Sequence, residues 1–449
     1  MRTLITAGTI VTMDGTRRIL EDGGVLVADT LIEAVLTKEE LLRGTVPVDE
    51  TVDAPTLTLI PGFVQTHLHL CQTLFRGLAD DLELLDWLGK RIFPMEAAHS
   101  ASSMHASAML GIAELIRSGT TTIMDMGSVH HEEELVRAIE ESGLRAYVGK
   151  SLIDTNTLYP PLQEATDQAL ADARLQCEGW HGAAGGRIRY AVAPRFVLSC
   201  SEKLLKESYG LARSSPGVLF HTHASENRKE MQAIRARCGM ENIQYLDRIG
   251  VLGETTCLAH CVWVSEPEVT LLAERRSAVL HCPGSNLKLG SGVARIPQLL
   301  KRGVRISLGT DGAACNNSLD MFREMRLAAL IQKPAYGPMA MDARTVFEMA
   351  TRGGADALGL LSETGTIEPG KKADLVLLDL STAGSPAGTG RAGDVFSAMV
   401  YAASPEHVHS TMVDGRWVYR HREFVGLDQE RVTRTAAAEC RSLLTRTRL

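Results

Sequence analysis

Residues 59–69 read LIPGFVQTHLH, an apolar run of strand length that ends on two histidines two positions apart. Side chains at i and i+2 of a strand share a face, so His67 and His69 are expected to project together from its end. The same texture recurs down the chain. TTTIMDM (120–126), LRAYVGKSLID (144–154), IRYAVAP (188–194), VLFHTHAS (218–225), TTCLAHC (255–261), SAVLHCP (277–283) and VRISLGTD (304–311) are all short apolar runs. Helical patterns such as SSMHASAMLGIAELIRSG (102–119) separate them. This alternation predicts βα units and a parallel sheet covered on both faces. With the opening stretch the runs number eight, which predicts a closed α/β (β/α)8 TIM barrel. No GxGxxG follows any of them, as an open dinucleotide-binding sheet would favour.

The ends of the chain read differently. TLITAGTIVTMDG (3–15), GGVLVADTLIEAVL (23–36), KKADLVLLDL (371–380) and VHSTMVDGRWVYRHREFVG (408–426) alternate β-branched residues with turn residues. They predict a small composite β-sandwich built by both termini, from residues 1–58 and 363–449, with a helix closing the chain. The barrel then occupies 59–362. STAGSPAGTGRAG, from Ser381, reads as a flexible loop.

Composition narrows the function. The 449 residues are 45% hydrophobic and 22% charged, ample for a large core, and the net charge of -7 supplies no basic footprint. That excludes nucleic acid and anionic membrane as expected partners and favours a small-molecule substrate. Nine cysteines without a CxxC pair read as reduced thiols. No signal-like segment or spanning apolar stretch occurs, so a cytoplasmic location is expected.

Polar residues gather where the runs end, which in a barrel is the active-site face. Besides His67 and His69 these are His221 and His223, His260, His281 and Asp311. Imidazoles with one carboxylate suit a single divalent ion, zinc or alternatively iron(II). Any one of them could be a core residue; four or five at successive strand ends are poorly explained that way. His221 and His223 share a face, so the pattern alone does not choose between them. Glu226, three residues past His223, is placed to move protons beside such an ion, or else to serve as a helix N-terminal acid.

As an ordered set, PGFVQTHLH, HTHASE, LAHC, LGTDG and GTIEPGKKADLVLLD resemble the amidohydrolase superfamily, in its cytosine-deaminase-like branch of heterocycle deaminases and triazine hydrolases. The resemblance covers nearly the whole chain. It implies a single metal on His67, His69, His223 and Asp311, with His260 hydrogen-bonding the hydrolytic water and Glu226 shuttling its proton. Arg195 stands where binuclear branches carry a carboxylated lysine, and His281 matches a position near the substrate. A homo-oligomer is implied as well.

For the substrate, LFRGLADDLELLDWL (74–88), FPME (93–96) and NLKLGSG (286–292) resemble deaminases of S-adenosylhomocysteine, methylthioadenosine and 5′-deoxyadenosine. There the Trp87 position packs on substrate and the Glu96 position contacts ribose hydroxyls. Two positions depart from that pattern: Arg195 replaces a histidine and Lys150 an arginine. APRFVLSCSE (193–202) and HASENRKE (223–230) resemble guanine deaminases, where the Arg195 and Gln72 positions address the purine oxygen and edge nitrogens. A guanidinium fork suits a carbonyl that adenine lacks. Guanine or another oxopurine or pterin, a triazine, and a non-catalytic metal-binding barrel stand as alternatives.

Overall fold

Each of the eight apolar runs contains a strand in the computed structural model, which describes residues 1–44, 47–383 and 392–447. The loop expected from Ser381 lies largely outside these residues. In chain order the strands are β1 (Arg2–Val11), β2 (Ile19–Ala28), β3 (Leu31–Leu36), β4 (Glu50–Pro61), β5 (Phe63–Leu68), β6 (Thr120–Asp125), β7 (Arg145–Val148) and β8 (Ser151–Leu152). There follow β9 (Ile188–Pro194), β10 (Leu219–Ala224), β11 (Thr256–His260), β12 (Ala278–His281) and β13 (Arg305–Leu308). The last four are β14 (Leu375–Leu378), β15 (Val408–Val413), β16 (Arg416–Arg420) and β17 (Glu423–Phe424).

Strands β5, β6, β7, β9, β10, β11, β12 and β13 pair in parallel in that order, with the short β8 added on β9. Every residue of β5, β6, β10, β11 and β12 is buried, as a parallel sheet wrapped by helices requires. The seam between β13 and β5 closes through individual bonds. Asp311 donates its N–H to the His67 carbonyl at 3.0 Å, and Thr66 Oγ1 donates to the Leu308 carbonyl at 2.9 Å. Gly309 permits that approach, because a Cβ there would lie 2.7 Å from the His67 carbonyl oxygen. The barrel therefore closes at the residues that carry the candidate site.

The termini form one continuous eight-stranded sheet, in the order β17-β16-β15-β14-β4-β1-β2-β3. Its two halves meet where β14 pairs antiparallel with β4, Leu377 opposite Leu59 and Leu375 opposite Pro61. This pairing keeps β4 in the terminal sheet through Pro61, slightly beyond residue 58. Ile5, Val25, Leu59, Leu375 and Met412 fill its buried face. The closing helix, Gln429–Thr447, lies against the helix Ala101–Arg117.

A buried ion pair locks sheet to barrel. Arg145, at the start of β7, donates to both oxygens of Asp374 at 2.8 and 3.2 Å, and the two side chains are 3% and 0% exposed. Burial works against ionisation of Asp374, but Arg145 and the surrounding donors outweigh it and hold the carboxyl below its ordinary value. Asp374→Asn leaves a buried guanidinium with only the more distant Asp414 carboxylate, at 3.3 Å. We expect it to cost about 3–5 kcal/mol of stability, measured by denaturant unfolding.

Candidate metal centre

Four side chains from three separate parts of the barrel mouth converge. His67 and His69 leave the end of β5, His223 leaves β10, and Asp311 follows β13. Their ligand atoms all lie within 4.8 Å of one another. His67 Nε2 and His69 Nε2 each stand 3.4 Å from Asp311 Oδ1, and His69 Nε2 stands 3.3 Å from His223 Nε2. Such separations are long for hydrogen bonds. They match ligand atoms about 2.0–2.1 Å from a common tetrahedral ion, which stand about 3.3–3.4 Å apart. The residues present therefore fit a zinc-sized cation.

The electrostatics agree with this fit. Burial is the largest cause holding His67, His69 and His223 below the ordinary histidine value, so they stay neutral with a lone pair free for a metal. Asp311 is fixed by Ser285 Oγ, which donates to Oδ2 at 2.7 Å, and by the Gly312 N–H, which donates to Oδ1 at 2.7 Å. His223 is anchored through Nδ1, 2.8 Å from the Arg195 carbonyl. Of the two histidines that the pattern leaves equivalent, the structure groups His223 with His67, His69 and Asp311, while His221 Nε2 sits behind them, 2.9 Å from His67 Nδ1.

Glu226 and His260 flank the cage. Glu226 Oε2 lies 3.4 Å from His260 Nε2, which is 3.8 Å from Asp311 Oδ2. Glu226 Oε1 is buried with no hydrogen-bond partner among the described residues. The helix Arg228–Cys238 is capped by Asn227 and Glu230, so Glu226 is not consumed as its N-terminal acid. Burial, with the charge of Asp311 adding, lifts the Glu226 carboxyl well above the usual carboxylate range. His260 Nδ1 is held 2.9 Å from Asn286 Oδ1. His260 and Asp311 take φ of 74° and 61°, left-handed values that side chains rarely adopt and that cluster at functional sites.

A cleft opens over the cage, walled by His69, Leu84, Trp87, Leu88, Arg195, Phe196, His223, Glu226 and Asp311. Trp87 is buried in this wall, in an apolar cluster with Leu84, Leu88, Phe93 and Phe196. Glu96 is buried, 4% exposed. It accepts from Arg195 at 2.7 and 3.0 Å and from Gln72 Nε2 at 2.9 Å, while the guanidinium lies over the Phe93 ring. Gln72, Glu96 and Arg195 are thus one network. Of the six expected substrate residues, Trp87 and Arg195 line this wall, Gln72 and Glu96 join it through Arg195, and Lys150 and His281 are not brought to it. The Lys150 ammonium is drawn away by Glu164 at 2.8 Å and Asp172 at 3.2 Å. His281 is buried at the end of β12 with neither ring nitrogen partnered among the described residues, and burial takes its pKa down to about 3.

Sequence reasoning did not single out His221 as a support for His67, nor Ser285 and Asn286. The available signal was HCPGSN (281–286), a polar cluster ending a strand, of which only the histidine was weighed.

Comparison with known proteins follows the same lines. The chain is 41% identical over 446 residues to a 5′-deoxyadenosine deaminase of Methanothermobacter thermautotrophicus, covering 98% of each chain. It is 36% identical over 445 residues to a 5-methylthioadenosine/S-adenosylhomocysteine deaminase of Pelotomaculum thermopropionicum, covering 99% of each. Among solved structures, an adenosine deaminase of Xanthomonas campestris with bound zinc superposes with a TM-score of 0.90 at 33% identity, over 99% of this chain and 98% of that one. Residues 58–418 match the amidohydrolase family. That span begins inside β4, ends inside β16 and takes in every strand end that supplies a side chain to the cage, and the chain belongs to the amidohydrolase family.

Proposed function

We propose that the protein is a metal-dependent hydrolytic deaminase of an adenosine-type nucleoside, converting 5′-deoxyadenosine, methylthioadenosine or S-adenosylhomocysteine to the inosine-type product and ammonia. The observation that carries this reading is the unpartnered Glu226 Oε1, a buried carboxyl oxygen on the cleft wall beside the cage. His67, His69, His223 and Asp311 would hold one divalent ion, zinc or alternatively iron(II). When bound, such an ion lowers the pKa of a coordinated water to about 7, making hydroxide available at neutral pH.

The chain's own residues handle the protons. His260 Nε2 lies between the Glu226 and Asp311 carboxylates, where it orients the attacking water. Glu226 accepts the water proton and returns it to the ring nitrogen beside the carbon under attack. As the tetrahedral carbon collapses, the amino group takes up the remaining proton and leaves as ammonia. A carboxyl that burial raises well above the usual carboxylate range takes up a proton more readily than an exposed one, as this cycle requires.

The two substrate signals that oppose each other in sequence form a single pair in space. Arg195 gives one N–H from each terminal nitrogen to Glu96, so that face of its fork is not open to a purine carbonyl. Arg195 and Gln72 instead support Glu96 as the acceptor for ribose hydroxyls, with Trp87 packing on the nucleoside. The relatives' names favour the same substrate class.

Ammonia release from adenosine analogues and guanine, with chloride release from a chlorotriazine, tests the assignment. We expect kcat/KM for an adenosine analogue to exceed that for guanine by about 10²-fold or more. Comparable turnover of guanine would support the oxopurine reading, and chloride release at that level the triazine reading. Glu96→Gln should lower kcat/KM for nucleosides by about 10-fold or more, chiefly through KM, as expected for loss of a charged hydrogen bond. An unchanged KM would remove Glu96 from the ribose contact.

A further inference from the structure

His221 lies outside the metal cage, yet its ring touches one of the cage members directly. It is wholly buried on β10, and its Nε2 lies 2.9 Å from His67 Nδ1, with the two rings at 88°. That angle aims an imidazole edge at its neighbour. The other cage imidazole with an Nδ1 contact, His223, uses a backbone carbonyl, which can only accept. A histidine can accept or donate, so the pair has two arrangements.

The arrangements have opposite consequences. If His67 Nδ1–H donates to His221 Nε2, then His67 Nε2 carries a lone pair toward Asp311, His69 and His223. If His221 Nε2–H donates instead, His67 must carry its proton on Nε2, which fills the ligand position. Only the first arrangement is compatible with a metal in the cage. It places the His221 proton on Nδ1, and that atom has no hydrogen-bond partner among the described residues.

From this geometry we infer that His221 is a positioning residue for the metal: by accepting the Nδ1–H of His67 it fixes the tautomer and ring orientation in which His67 Nε2 binds. The inference rests on the metal reading above. Ligating histidines depend on such outer contacts, whose loss typically weakens metal binding about 10–100-fold.

The test compares zinc affinity, by chelator competition, in the wild type, His221→Leu and His221→Gln, with urea unfolding of each metal-free protein as the control for folding. His221→Leu removes the acceptor, and zinc should bind about 10–100-fold more weakly. His221→Gln offers its side-chain carbonyl in place of Nε2 and should restore affinity close to that of the wild type. A merely structural role would not predict that rescue.

Wild-type affinity in a folded His221→Leu protein would overturn the inference. So would a folded His221→Gln protein as weak as His221→Leu. If His221→Leu does not fold, ¹⁵N spectra of histidine-labelled zinc-loaded wild type decide, with the His221 signals identified by their loss in His221→Gln. Protonation at Nδ1 and not Nε2 supports the inference, and the reverse overturns it. A wild type that binds no zinc would sink the metal reading itself, a result distinct from these.

Discussion

Glu226→Gln is expected to lower kcat for deamination by about 10²–10⁴-fold, the range for losing a general acid–base, while the protein stays folded and keeps its metal. In free energy this is about 3–5 kcal/mol of transition-state stabilisation. Gln preserves the volume of the side chain and one oxygen, but its amide cannot cycle a proton between water and ring nitrogen. Glu226 is not a ligand of the cage and donates its backbone N–H to Glu230, so the substitution leaves the local backbone bonds in place. Steady-state ammonia release with metal content measured on the same sample checks the result. Undiminished turnover at full metal content would mean that another group moves the proton. A wild type that binds metal but turns over none of the substrates would favour the non-catalytic barrel.

Removing a cage residue should have an effect at least as large, by a different route. Asp311→Ala deletes the carboxylate whose Oδ1 stands 3.4 Å from both His67 and His69, and it leaves Ser285 and the Gly312 N–H without their acceptor. Three neutral imidazoles cannot replace its charge in so buried a site. Elemental analysis should show metal falling from about one ion per chain to near none, with turnover lost alongside. Stoichiometric metal in Asp311→Ala or His67→Ala would require the ligand set to be redrawn. The two substitutions differ in kind: Glu226→Gln abolishes turnover with the ion present, and Asp311→Ala abolishes it with the ion gone.

How legible each feature was in the sequence follows from its range. The barrel could be read because its signal is local: short apolar runs, separated by helical patterns, each ending in polar residues. His67, His69, His260 and Asp311 were visible for the same reason, since a strand end is a position in the chain as well as in space. The terminal sheet was legible as two β-rich ends. Their joining was expected, but that the seam is β4 against β14 is a pairing of strands more than 300 residues apart, on which the patterns are silent.

By itself, then, the sequence determined the barrel, the gathering of histidines and Asp311 at its mouth and the presence of Glu226 beside them. Tertiary structure decided which of those residues meet. His221 and His223 share a strand face and are equivalent in any periodic pattern, and only the approach of β5 puts one in the cage and the other behind His67. Arg195 and Glu96 read as rival substrate signals until folding brought them together across 99 positions as one buried pair. Lys150 was drawn off in the same way, by Glu164 and Asp172. Charged groups choose partners by distance in the folded chain, because burying a charge without one is costly, and no local pattern records that distance.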